Sequence, residues 1–181
     1  KSDIPIVLES SKKNLSRCVC TLRPKSEGGL FVGKEDERKS ILRLIAEYNP
    51  FLLDVEFNTI QKDKKLASYL KKSKCKLLIS WHDFKKTPNE SQLKSRFNKM
   101  RKFSNVVKIV TVAKNVSDAS RLLSLYSVKS KNKMVAFCMG DQGKFSRILC
   151  LHLGSPFTYV SLGKAIAPGQ FSVDEIKSLE N

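Results

Sequence analysis

Short apolar runs alternate along the chain with longer amphipathic stretches. The runs at 17–23, 52–57, 76–82, 106–112, 134–139 and 148–153 predict strands, and 157–162 predicts a further extended piece. Between them, apolar residues recur at three- and four-residue spacing. Ile41, Leu44, Ile45 and Tyr48 mark one helix face, and Leu66, Tyr69 and Leu70 the next. Leu93, Phe97 and Met100 mark a third, Leu122, Leu123 and Tyr126 a fourth, and 4–11 reads as the tail of a helix. Two helix starts are well specified. Thr87-Pro88-Asn89-Glu90 offers a hydroxyl cap, a proline at the first position and a carboxylate three residues on, and Ser172-Val173-Asp174-Glu175 repeats the capping box.

Strand-then-helix alternation implies a parallel sheet with helical crossovers, within one domain over 1–181. An open doubly wound sheet and a closed (β/α) barrel both satisfy it. A nucleotide-binding open sheet wants a Gly-rich turn after an early strand. Gly28-Gly29 lacks the G-x-G-x-x-G spacing, and no G-x-x-x-x-G-K-[ST] occurs. The barrel is preferred.

Polar residues sit at the carboxyl ends of otherwise apolar strands. Period-two alternation puts Val19, Thr21 and Arg23 on one face of the first strand, and Asp54 and Glu56 on one face of the second. Leu78, Ser80 and His82 share a face of the third; Lys108, Val110 and Val112 share one of the fourth. In a barrel these converge on the C-terminal mouth, where barrel enzymes hold their active sites.

Lys108 lies inside Val106-Val107-Lys108-Ile109-Val110, where an ammonium is poorly solvated. Either the amine becomes neutral, and so a nucleophile for carbonyl carbon, or its head snorkels to water at a strand edge. His82 ends an apolar strand and suits proton transfer near neutrality, although a satisfied core histidine reads the same way. His152 lacks such company and reads as structural. In Arg23-Pro24-Lys25-Ser26-Glu27-Gly28-Gly29 a carboxylate enters a double-glycine loop. A flexible loop would let Glu27 reach back to orient an imidazole; a solvated turn glutamate is the plain alternative.

The net charge of +17 is largely lysine and fits an anionic substrate or a nucleic acid. Lys62, Lys64, Lys65, Lys71, Lys72, Lys85, Lys86, Lys94, Lys99 and Lys102 fall on outward helix faces, and no arginine-rich arm, RNP-like pattern or zinc-finger spacing occurs. No nucleic-acid partner is therefore expected. The apolar fraction of 41 % contains no run long enough to span a bilayer, so no membrane association is expected. Cys18, Cys20, Cys75, Cys138 and Cys150 form no metal or redox motif and fit reduced thiols in a cytoplasm, and two histidines argue against zinc. The chain opens with Lys1 rather than methionine, which suggests a fragment or a processed form.

Taken together, these segments resemble the type I 3-dehydroquinate dehydratase family. Thr21-Leu22-Arg23 through Glu27-Gly28-Gly29 is similar to its T-x-R-x-x-x-E-G-G segment, and Asp54-Val55-Glu56 to its D-x-E strand. Ser80-Trp81-His82-Asp83-Phe84 with Thr87-Pro88 resembles S-x-H-D-F-x-x-T-P, and Lys108-Ile109 resembles the strand of the Schiff-base lysine. Ser146-Arg147, Gly154-Ser155 and Ala167-Pro168-Gly169-Gln170 resemble its S-R, G-S and A-P-G-Q blocks.

The resemblance implies a (β/α)8 TIM-barrel fold of parallel strands and a cofactor-free, metal-free lyase of the shikimate pathway, cytoplasmic and homodimeric. It implies that Lys108 forms an iminium at C3 of 3-dehydroquinate, while His82, oriented by Glu27, takes a C2 proton and protonates the departing C1 hydroxyl, a syn elimination. Arg147 would bind the substrate carboxylate, Arg23 the ring hydroxyls, and Gln170 would close over the substrate from a lid at 165–171. Two departures stand out. The family's first two strands, the second bearing an E-x-R motif, fall outside this sequence, and six strands would leave an open edge. Ile166 replaces a usual hydroxyl residue. Two other readings compete. A class I aldolase-like barrel lyase would share Lys108 but not the His82–Glu27 pairing, and a basic binding module would have lost catalysis.

Overall fold

The computed structural model describes residues 3–179. The chain forms two compact units, residues 1–81 with 100–105 and residues 82–99 with 106–181.

The first unit contains α1 (Asp3–Ser10), β1 (Val19–Thr21), α2 (Glu35–Glu47), β2 (Leu52–Glu56), α3 (Phe57–Lys62) and α4 (Lys64–Lys72). It also holds most of β3 (Leu77–Asp83). β1 pairs in parallel with β2, and β2 with β3. Every residue of β2 is buried, as expected for a parallel strand covered on both faces. The register aligns Thr21 with Asp54 and Glu56 with Ser80, so the polar residues of three strands share one face.

Helix α2 opens with Glu35, Asp36 and Glu37, which suit the positive end of the helix dipole. Its buried face is Arg38, Leu42, Ile45 and Ala46. The expected face, Ile41, Leu44, Ile45 and Tyr48, is corrected by about one residue, because the helix turns to bury Arg38. In α4, Asp63 caps the start by accepting from the Leu66 amide at 2.9 Å, and Leu66 and Leu70 face inward as expected.

The second unit begins at the end of β3. Its further elements are α5 (Glu90–Met100), whose last residue joins the first unit, β4 (Val106–Val112), α6 (Val116–Leu123), β5 (Lys133–Met139), α7 (Ser146–His152) and α8 (Val173–Leu179). β4 and β5 pair in parallel from Val106–Lys133 to Val112–Met139. Val110, Leu123, Val135, Phe137, Met139 and Cys150 form a core cluster in this unit.

Two strand expectations fail. Residues 148–152 belong to helix α7 and Leu153 caps its end; the helix buries Ser146, Arg147 and Cys150 at helical spacing and leaves Leu149 and Leu151 partly in solvent, as is Leu153. A short apolar run cannot by itself distinguish helix from strand. Residues 157–162 form no strand; Ser161 makes one bridge to Ser172, and Phe157 and Tyr159 pack against the β5 core.

Of the two predicted capping boxes, the second holds: Ser172 and Glu175 exchange bonds of 3.1 and 2.7 Å. The first is shifted. The side chain of Asn89 accepts from the Gln92 amide at 2.9 Å, so Asn89 is the cap. The Thr87 hydroxyl instead lies 2.7 Å from the Thr111 hydroxyl and donates to the Val112 carbonyl at 2.9 Å. It ties the loop after β3 to the end of β4.

Candidate active site

In the first unit the strand-end face carries a buried ionic group. Arg23 extends past β1 and meets the Asp54 carboxylate at 2.6 Å and the Glu56 carboxylate at 3.2 Å, and donates to the Ser80 hydroxyl at 3.0 Å. Asp54 and Glu56 are each 1 % exposed. Such carboxylates persist in the interior only with well-placed partners, which the arginine fork supplies.

The segment after Arg23 folds straight back. A 3-10 turn, Lys25–Glu27, is followed by Gly28 at φ +77°, and the Phe31 amide bonds the Arg23 carbonyl at 3.2 Å. A Cβ on Gly29 would lie 1.9 Å from that same carbonyl oxygen. The two glycines therefore permit a left-handed residue and a close backbone approach. The expected flexible loop is corrected to a tight one that buries Glu27.

The Asn58 amide donates to Glu27 at 3.1 Å. Burial pushes the Glu27 carboxyl up to about 7, reinforced by the charges of Glu56 and Asp54 and opposed by Arg23 and Asn58. A cavity of about 380 Å³ opens beside it, lined by Ser26, Glu35, Lys39 and Thr59 among others.

In the second unit Lys108 sits in the middle of β4, 7 % exposed, with its Nζ 4.4 Å from the centroid of the Tyr159 ring. The Tyr159 ring lies 6.1 Å from Phe137, and Phe137 carries the Arg147 guanidinium 4.5 Å from its centroid. Lys108 and Arg147 are thus joined through two aromatic faces. Arg147 is 2 % exposed. Its Nη2 donates to the Pro168 carbonyl at 3.2 Å, its Nε has no partner, and among the described residues no carboxylate pairs with it. Burial lowers its pKa to about 10. A buried guanidinium in this state is set to receive an anion.

Pro168 also accepts from the Gly140 amide at 3.3 Å, and Gly169, at φ +70°, packs where a Cβ would come within 2.8 Å of the Gly140 carbonyl oxygen. The A-P-G-Q segment is thereby fixed to the end of β5. The Gln170 side-chain oxygen accepts from the Ile166 and Ala167 amides at 2.9 and 3.2 Å, so it braces its own loop. His82, the last residue but one of β3, is half-buried, its ring stacked 6.0 Å from Phe84. His152 is exposed on α7.

The structure thus groups Arg23 with Asp54, Glu56 and Glu27, and Lys108 with Arg147. Sequence reasoning missed Arg38, Asn58, Phe137 and Tyr159. For Arg38 a signal existed: it lies four residues before Leu42 and seven before Ile45, on the buried side of α2. Among the described residues no group of His, Cys, Asp and Glu side chains is arranged to hold a metal ion. No helix among them is long and apolar enough to cross a membrane.

The family model described as Type I 3-dehydroquinase matches residues 2–180. Relatives named 3-dehydroquinate dehydratase include one from Pyrobaculum aerophilum, 40 % identical over 158 residues, which covers 86 % of this chain and 50 % of that protein. One from Dehalococcoides mccartyi is 37 % identical, covering 87 % of this chain and 72 % of its own; one from Methanocaldococcus jannaschii is 32 % identical, covering 97 % and 83 %. The chain thus spans half the length of the first of these relatives. Among solved structures, the Aquifex aeolicus 3-dehydroquinate dehydratase matches with a TM-score of 0.76 at 28 % identity, over 96 % of this chain and 80 % of that one. A type I enzyme from Clostridium difficile matches in fold with a TM-score of 0.86 at 24 % identity, over 98 % and 74 %. The α/β fold with parallel strands is therefore of the (β/α)-barrel type that the resemblance implied. With its family model matched over nearly its whole length and its strand-end motifs in place, this chain belongs to the type I 3-dehydroquinase family.

Proposed function

We propose that this protein dehydrates 3-dehydroquinate to 3-dehydroshikimate through a Schiff base on Lys108. The observation that carries the reading is the pairing of a buried lysine with a buried arginine that has no anionic partner among the described residues, linked by Phe137 and Tyr159. A keto acid matches that pair: its carboxylate suits Arg147, and its ketone suits an amine.

The neutral amine of Lys108 adds to the C3 carbonyl, and the carbinolamine takes a proton from His82 and loses water to give an iminium, leaving the imidazole neutral. This step requires the amine in its neutral form. The iminium draws electrons from the C2–H bond as His82 accepts the proton, leaving an enamine. The enamine expels the C1 hydroxyl, which leaves as water with the proton returned by His82. Hydrolysis of the resulting conjugated iminium releases product and restores the amine. The resemblance assigns Glu27 to hold the imidazole in orientation and Arg23 to hold the ring hydroxyls. Burial of Glu27 and the fixed guanidinium of Arg23 support these roles. Gln170 completes the substrate contacts, with its oxygen already engaged in its loop.

We further read the protein as cytoplasmic, supported by five free cysteines, and as a homodimer. The dimer is supported by Phe145, Leu149 and Leu153, partly exposed and spaced four residues apart on α7 and its two cap residues. The test of function is turnover of 3-dehydroquinate, followed by the absorbance of the conjugated enone. Activity that Lys108→Met abolishes supports the proposal, and activity that survives this substitution rejects it.

A further inference from the structure

Arg38 has no role in the reaction proposed above, yet every N–H of its guanidinium is accepted. It is fully buried on the inner face of α2. Its Nε and Nη2 hold the two oxygens of Glu35 at 2.9 and 2.7 Å, and Nη2 also donates to the Thr59 hydroxyl at 2.5 Å. Its Nη1 donates to the Leu22 carbonyl at 3.0 Å and to Glu56 Oε2 at 2.6 Å. All the N–H bonds a guanidinium possesses are therefore accepted.

Two of these partners lead to Arg23. The Leu22 carbonyl belongs to the peptide that immediately precedes it. Glu56 is a carboxylate divided between two arginines: Oε2 faces Arg38 at 2.6 Å and Oε1 faces Arg23 at 3.2 Å. A guanidinium needed only to stabilise α2 would be served by Glu35, three residues away and half-exposed. Arg38 instead reaches across to fix both the backbone and the counter-ion of the arginine on β1. Without it, Glu56 loses its shorter contact and is free to rotate, and the longer contact to Arg23 is the first to go.

We propose that Arg38 is a positioning residue that sets the direction of the Arg23 guanidinium through Glu56 and the Leu22 carbonyl. The effect on turnover rests on the dehydratase reading, since substrate senses Arg38 only through Arg23. Lysine cannot substitute, because a point charge with three donors cannot span Glu35, Leu22 and Glu56 together.

The experiment compares Arg38→Met and Arg38→Lys in the wild-type and Arg23→Met proteins, by steady-state kinetics with 3-dehydroquinate and by NMR of the guanidinium groups. Arg38→Met is expected to raise KM about tenfold with kcat changed less than about threefold. In the Arg23→Met background the same change is expected to add less than about twofold. The two Nη groups of Arg23 should give separate, slowly exchanging signals in the wild type and merge in both Arg38 variants, while those of Arg147 stay unchanged. Equal KM losses with and without Arg23, or unaltered Arg23 signals in a folded Arg38 variant, overturn the proposal. Should Arg38→Met fail to fold, Arg38→Lys carries the same comparison. A wild-type protein that does not turn over 3-dehydroquinate refutes the dehydratase reading, and the Arg23 signals then still decide whether Arg38 positions it.

Discussion

Replacing Glu27 with glutamine separates the contribution of this carboxyl to chemistry from its contribution to stability. Its carboxyl titrates near 7 instead of the ordinary 4.5, because it is buried and faces the charges of Glu56 and Asp54. The folded protein therefore holds the Glu27 proton more tightly than the unfolded chain does. Stability from this group is greatest below the unfolded value and is lost as pH rises through the folded value. Each pH unit of displacement is worth about 1.4 kcal/mol, so ionised Glu27 costs the fold about 3 kcal/mol above neutrality. Glutamine is neutral at every pH, and its carbonyl can still accept from Asn58. Urea unfolding of the Glu27→Gln and wild-type proteins at pH 5 and pH 8 measures the difference. The variant should match the wild type at pH 5 and exceed it at pH 8 by about 2–3 kcal/mol, a midpoint gain of about 1 M urea. Turnover should fall by about a hundredfold in the same variant, the trade of activity against stability expected at a functional site. A stability gain equal at both pH values, or none at pH 8, would refute the reasoning. It would mean that burial and acidic neighbours do not hold this proton.

Arg147→Met should raise KM for 3-dehydroquinate about a hundredfold, since a charge-assisted carboxylate bond is lost. Its thermal midpoint should not fall, because a buried charge without an anionic partner among the described residues is removed. Thr87→Val deletes the hydroxyl bonded to Val112 and Thr111 and should cost about 1–3 kcal/mol in chemical denaturation, with Thr87→Ser close to wild type. Gly29→Ala drives a methyl onto the Arg23 carbonyl and should destabilise by about 3 kcal/mol or more; a variant as stable as wild type would show that the loop after β1 relaxes freely.

The strands were legible where period-two alternation and apolar runs agreed, as in β4, whose bounds coincide with the expected 106–112. The run at 148–153 misled because its leucines suit either periodicity; the inward pair Arg147 and Cys150 decides for helix only once the chain is folded. Lys108 was legible as a lysine out of place in an apolar strand. Its aromatic neighbours were not, because Tyr159 lies in a segment without regular structure and meets β5 only through the fold. Arg38 shares the helical spacing of Leu42 and Ile45, but in Glu35-Asp36-Glu37-Arg38 it reads as one charge of a solvated helix start, and its counter-ion Glu56 lies on a strand that the spacing does not point to. The glycines after Glu27 were noticed but given the wrong physics, since close approach and flexibility both select glycine.

Borohydride reduction of the protein in the presence of 3-dehydroquinate, followed by peptide mass analysis, tests the Schiff base most directly. Reduction freezes any imine as a stable amine, so the attachment site can be assigned among the 26 lysines of the chain. The account predicts one substrate-derived mass addition, on Lys108, with activity lost in proportion. An active protein that acquires no adduct, or carries it on another lysine, would contradict it.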